Sequence, residues 1–472
     1  MVPRRIFWSF VLALATLAPG AMAQSGSFGN AVVIDGDALI VGEPNNTFRP
    51  GMVYVYRKTG DGWTESSQIM APGAERSDGF GAALAIAGNA LFVASRGGSV
   101  YEYHREGESW TYHDTVTDDD GVGLDPRCNY NGFCSTDFGL SLAASGDWVF
   151  LGQANVVTDQ SRLRPRIRRN NDAPADDPAG LVVAFRRSGG GAWTEAQRLA
   201  SPESASGDGF GASLAVVDER LLVGAPRASD GDTEAAGRVF QFAMQGGTWE
   251  ATGELAVDAE DQASFGSSIV VDDGRAVVGA PFSGHGTGAA YVFVLEDAGA
   301  WDLVSRLEGP EAGEGDVFGA SVAIDGDHVW VGAPVTRGLE TGKAVVVDTD
   351  GEATTMNFTP EETNHEDSFG HRVAAGGGIA AVTASGLDHQ AGGVFVYERE
   401  AGGEWSLTGE LLSPPDALGA VVGEERRCAD GAVESFECDA VELLAYIPSP
   451  ILTAPEDARG VRVNDNWGWT DP

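Results

Sequence analysis

Short apolar runs separated by polar turns recur along this chain, and the stretch from residue 210 shows the pattern in full. After Phe210-Gly211, the run Ala212-Ser213-Leu214-Ala215-Val216-Val217 meets a polar turn at Asp218-Glu219-Arg220. Leu221-Leu222-Val223 follows and stops at Gly224-Ala225-Pro226. A loop of small and acidic residues leads to Gly237 and the alternation Val239-Phe240-Gln241-Phe242. A Gly-Gly turn then precedes a last run from Trp249 to Leu255. Runs this short, with period-2 alternation and turn residues between them, predict four consecutive β-strands.

The phrase repeats. Phe-Gly pairs stand at residues 28, 80, 138, 210, 265, 318 and 369, with spacings of 52, 58, 72, 55, 53 and 51. A period near fifty with four strands in each copy predicts an all-β, seven-bladed β-propeller of four-stranded blades. The spacing leaves open whether the repeat is in phase with the blade, and whether the last blade closes by exchanging a strand with the N-terminus. Pro44, Pro226, Pro281 and Pro334, which lack a backbone donor, end the second strand. Gly51, Gly237, Gly288, Gly342 and Gly393 are expected to open the third. Trp63, Trp110, Trp193, Trp249, Trp301 and Trp405 recur on the fourth run and are expected in the core between blades. The sixth unit lacks this tryptophan, and Phe358 is its expected substitute.

Phe-Gly followed about thirteen residues later by Val-Gly-Ala-Pro resembles the FG-GAP repeat of integrin α-subunit propellers and their bacterial relatives, over roughly residues 26–415. Three copies carry the full Gly-Ala-Pro, and Gly42-Glu43-Pro44 nearly does. The resemblance implies the propeller fold and, more loosely, adhesion or ligand binding. It does not extend to the family's calcium loops. Here Asp35-Gly36-Asp37, Gly146-Asp147, Asp273-Gly274 and Asp325-Gly326-Asp327 are tight hairpin turns, which cannot wrap the six to eight oxygens calcium takes. No metal and no cofactor are expected.

At the N-terminus, Arg4 and Arg5 precede an apolar run to Pro19 and an Ala21-Met22-Ala23 end, the pattern of a secretory signal peptide cleaved after Ala23. The expected organisation is a signal peptide at 1–23, the propeller at 24–418 and a connector at 419–472. A secreted, periplasmic or cell-surface location follows, with no membrane insertion of the mature chain. The connector, ending Trp467-Gly468-Trp469-Thr470-Asp471-Pro472, is similar to the start of the choice-of-anchor B family domain with its LVIVD repeats. That resemblance implies either a disulfide-bearing connector that stops short of a second propeller or the truncated start of one.

Charge narrows the partners. Asp and Glu number 70 against 30 Lys and Arg, a net charge of −40, which disfavours nucleic acid and anionic lipid. The four cysteines fall in two close pairs, Cys128 with Cys134 and Cys428 with Cys438. In an exported protein they read as two small disulfide loops, although three connectivities are open. Arg162, Arg164, Arg166, Arg168 and Arg169 crowd one insertion, roughly 156–178, followed by Asp172, Asp176 and Asp177. They are a self-neutralising loop, a docking arm for an anionic glycan or acidic partner, or a proteolysis-sensitive linker. No motif for catalysis is present: no His-Glu-x-x-His, no Gly-x-Ser-x-Gly and no phosphate-binding loop. The reading is an exported, noncatalytic scaffold for a protein or glycan, of unknown oligomeric state. A polysaccharide hydrolase or lyase, and a spacer for a further domain, are the alternatives.

Overall fold

The computed structural model describes residues 28–413 except for several connecting segments, the longest being 118–140 and 155–179, and four two-residue strands between 426 and 443. Among the described residues, 28 strands form seven four-stranded antiparallel sheets, each built from consecutive strands in simple up-and-down order. The seven sheets close into a β-propeller. Its blades span residues 31–69, 83–115, 141–199, 213–255, 268–307, 321–358 and 369–412, numbered 1 to 7 below.

The blade is therefore in phase with the Phe-Gly phrase, and among the described residues no strand is exchanged between blades. Closure of blade 7 on blade 1 comes from side chains instead. Lys58 pairs with Glu398, and the Trp63 indole N–H donates to Thr408. Glu43, fully buried, accepts from Tyr54 and from Ser413, which follows the last strand of blade 7. The near match Gly42-Glu43-Pro44 thus holds its glutamate for ring closure.

The repeated residues are the joints between blades. Each phrase phenylalanine seen here is at most 2 % exposed. It packs largely edge-on to its own third strand: Phe28 to Tyr54, Phe210 to Phe242, Phe265 to Tyr291, Phe369 to Phe395. The glycine of Gly-Ala-Pro lies against the next blade. A methyl group on Gly42, Gly152, Gly224, Gly279 or Gly332 would overlap the carbonyl oxygen of Gly81, Gly211, Gly266, Gly319 or Gly370 in turn. The glycine ahead of the third strand does the same against the phenylalanine carbonyl: Gly51 on Phe80, Gly180 on Phe210, Gly237 on Phe265, Gly288 on Phe318, Gly342 on Phe369. In blade 7 this position is Gly392, which meets Phe28 and seals the ring. Gly393, expected there from sequence, begins the strand itself.

Serines reinforce the same seams. Ser141, Ser213, Ser268 and Ser321, two residues after the Phe-Gly glycine, donate to the phrase carbonyls of Gly211, Gly266, Gly319 and Gly370. The fourth-strand tryptophans face the preceding blade, as Trp249 does on Trp148 and Phe150, and Trp405 on Trp330. Phe358 is a correction. It pairs with Ala344, the register in which Leu255 pairs with Val239, so it stands for the closing leucine rather than the missing tryptophan.

Candidate functional site

Three places carry polar chemistry that the repeat does not require. The first lies where blade 2 meets blade 3. Glu102, on the third strand of blade 2 (Val100–Glu106), is completely buried. The equivalent register holds Val55, Ala184, Gln241, Val292 and Val396 in other blades. A carboxylate there must be compensated, since an unpaired buried charge costs several kcal/mol. Compensation arrives from blade 3: Arg187 pairs with one oxygen, and the Trp193 indole N–H donates to the other at 2.9 Å. Burial alone would raise the Glu102 pKa, but the bonds from Arg187, Trp193 and His104 win and hold it below the ordinary value. Arg187 also stacks over the Trp193 ring, 4.6 Å from its centroid.

His104 Nε2 lies 2.6 Å from the Glu102 carboxylate. His113, on the fourth strand of blade 2 (Ser109–Thr115), stacks on His104 with ring centroids 3.9 Å apart. It gets there through a bulge: Glu102 pairs with Asp114 and Tyr103 with Tyr112, leaving His113 as the extra residue. The same bulge recurs in five other blades, with Ser66, Ala196, Thr252, Val304 or Thr408 at its apex. Where that residue is Ser66, Thr252 or Thr408, its hydroxyl donates to a third-strand carbonyl. Only blade 2 puts an imidazole there among the described blades.

The second place is a crevice between blades 4 and 5, lined by Arg238, Glu254, Asp258, Glu260, Phe265 and Tyr291. Its cations are already committed. Arg238 is ion-paired to Glu203 and Glu254, and Arg306 nearby to Glu260 and Glu308. Glu260 also accepts from Ser283 and the Gly284 amide. The crevice is lined by charges already ion-paired within each blade and its adjoining segments, and is poorly suited to an incoming anion.

The third is His371, at a phrase position that holds Ala82, Ala212 or Ala320 elsewhere. Burial among the innermost strands, and then the neighbouring Arg372 charge, pushes its pKa from 6.5 down to about 3. Since the folded value lies below the unfolded one, the unfolded chain takes up a proton between about pH 6.5 and 3 that the folded chain refuses. Stability is therefore lost as pH falls through that window, by at most about 1.4 kcal/mol per pH unit. The side chain is half-buried, so water access lowers this slope. A His371→Ala protein is expected to show a smaller drop in Tm between pH 7 and pH 4.5 than the parent; an identical drop would show that His371 is not what titrates.

Arg162, Arg164, Arg166, Arg168 and Arg169, and Cys128, Cys134, Cys428 and Cys438, lie outside the described residues. Sequence reading also missed an aspartate two residues before the phenylalanine. Asp78 accepts from the amides of Gly51 and Phe80, tying two blades together. Asp208, Asp316 and Asp367 occupy the same register and are buried. The signal was present as Asp-x-Phe-Gly.

The FG-GAP repeat family matches residues 193–242 and 301–347. Each match begins on the last strand of one blade and ends on the third strand of the next, so the family's repeat spans the joint. A comparison with curated proteins finds no match. Solved structures similar to this chain include Saccharomyces cerevisiae Sqt1, 8 % identical over 87 % of this chain and 91 % of that one, with a TM-score of 0.43. The computationally designed Ika8 protein is 15 % identical over 80 % of this chain and 98 % of that one, also at 0.43.

Proposed function

We propose that this β-propeller, which matches the FG-GAP repeat family over residues 193–242 and 301–347 and has a fold suited to protein-interaction scaffolds, is an exported, noncatalytic module that binds a protein or glycan outside the cytoplasm. One observation carries the reading. The recurring residues are consumed by blade-to-blade joints, whereas the two longest departures from the repeat leave the frame on the same face. Segment 118–140 connects the last strand of blade 2 to the first of blade 3. Segment 155–179 connects the second and third strands of blade 3. In an up-and-down blade these two kinds of connection share one side of the disc. Binding and specificity commonly sit on such loops over a rigid scaffold.

The arginines of the second segment are the expected contact with an anionic ligand. Guanidinium groups recognise carboxylate, sulfate or phosphate by paired hydrogen bonds, and in a chain of net charge −40 such a patch is selective for an acidic partner. The protein from Gln24 onward is expected to be retained on an immobilised acidic polysaccharide and released by salt. Changing Arg162, Arg164, Arg166, Arg168 and Arg169 together to serine should abolish that retention while leaving Tm unchanged. Undiminished retention of the five-fold variant would remove the arginines from the proposal.

A further inference from the structure

We propose that Glu102, His104 and His113 form a binding site for a late first-row divalent cation of the zinc type. Their candidate ligand atoms all lie within 4.8 Å of one another. Two imidazoles and a carboxylate are a donor set that zinc accepts, with nitrogen and oxygen near 2.0–2.2 Å. Three separate departures from the repeat converge on this point. A carboxylate replaces the usual small or apolar residue of the third strand. A histidine follows it two residues later on the same strand, so both side chains leave on one face. A second histidine takes the bulge apex, and bulges redirect side chains in this way.

The stacked rings, 3.9 Å apart and inclined at 23°, do not both aim a lone pair at one point, so the exposed His113 would turn out of the stack to join Glu102 and His104 on the ion. Trp193 and Arg187, from the neighbouring blade, fix the Glu102 carboxylate in position, the role that outer hydrogen bonds play for metal ligands. The lone pair of Glu102 that meets His104 is the one the cation would share, taking the place of the proton between them. His104 is one-third exposed and His113 is exposed, so the ion would have solvent on its outer side and a coordination position open there. The positive charge of Arg187 opposes the cation, which sets the affinity below that of a site with no cationic neighbour.

The experiment uses protein without an affinity tag of histidines, dialysed against chelator. Zinc binding is read by calorimetry, and cobalt binding by its visible absorption. One tight equivalent is expected, together with a cobalt spectrum of nitrogen and oxygen ligation. His104→Gln and His113→Gln should each weaken binding at least tenfold, and the double variant should lose the site. His113 is exposed and has no bond to Glu102, so His113→Gln is expected to keep the metal-free Tm and is the variant that separates ligand loss from misfolding; His104→Gln leaves an amide N–H that can still donate to the buried carboxylate. Absence of a stoichiometric site in the parent protein would overturn the proposal. So would a site that survives the double substitution, since that binding would belong to the acidic surface.

Discussion

Replacing Gly288 with alanine is expected to destabilise the propeller by roughly 2–5 kcal/mol, among the largest effects available to a single added methyl group. Two costs add. The backbone at Gly288 has φ of +84°, a conformation that costs a residue with a Cβ about 1–2 kcal/mol. The new methyl would also run into the Phe318 carbonyl of the next blade, and overpacking of this kind costs about 1–3 kcal/mol. Neither obstacle is a side chain that can swing away. Gly274→Ala is the control: its φ is also positive, at +73°, but nothing lies near the added atom. Urea unfolding of the two variants separates strain from collision. Equal losses would mean that the contact between blades contributes nothing.

Arg187→Ala is expected to cost roughly 3 kcal/mol, at the low end for breaking a buried ion pair because Arg187 itself reaches solvent. The loss leaves the Glu102 carboxylate, fully enclosed, with only Trp193 and His104 to satisfy it. The reverse change should be milder. Glu102→Val installs the residue that blades 1, 5 and 7 already carry at this register, and the guanidinium it abandons can be hydrated. The cost should be near 1 kcal/mol, chiefly the unpaired Trp193 indole N–H. In the double variant Glu102→Val with Arg187→Ala, most of the arginine penalty should disappear. A double-mutant cycle in denaturant measures the coupling; additive losses would show that the two blades are not joined through this pair.

Much of the architecture was legible because it is written locally. Strand and turn patterning within each fifty-residue copy needs no knowledge of partners, and seven Phe-Gly pairs fixed the number of blades. Phase was not legible, since a spacing is the same wherever counting starts; only the pairing of Ala31–Asp35 with Ala38–Glu43, and onward within one sheet, decides it. Register has the same origin: Gly393 does open the third strand of blade 7, but the glycine that meets Phe28 is Gly392, and the two are equivalent to the eye. Phe358 resembled a tryptophan substitute until its pairing with Ala344 placed it.

The polar cluster was legible in halves. Glu102 and His104 sit two apart on an obvious strand, so a shared face follows from sequence. His113 joins them only because the bulge shifts the register by one residue, and Arg187 comes from 85 residues away. Joints between blades are long-range by nature. That is why glycines read from sequence as turn and strand-opening residues prove to be contact surfaces.

The frame is proposed to present its loops to a ligand and to perform no chemistry on it. A glycan and polysaccharide array screened with the protein from Gln24 onward, with reducing-sugar release assayed on every hit, tests this most directly. Selective binding to acidic glycans without release of sugar is the predicted result. Release of reducing ends from a bound polysaccharide would contradict it and make the propeller an enzyme.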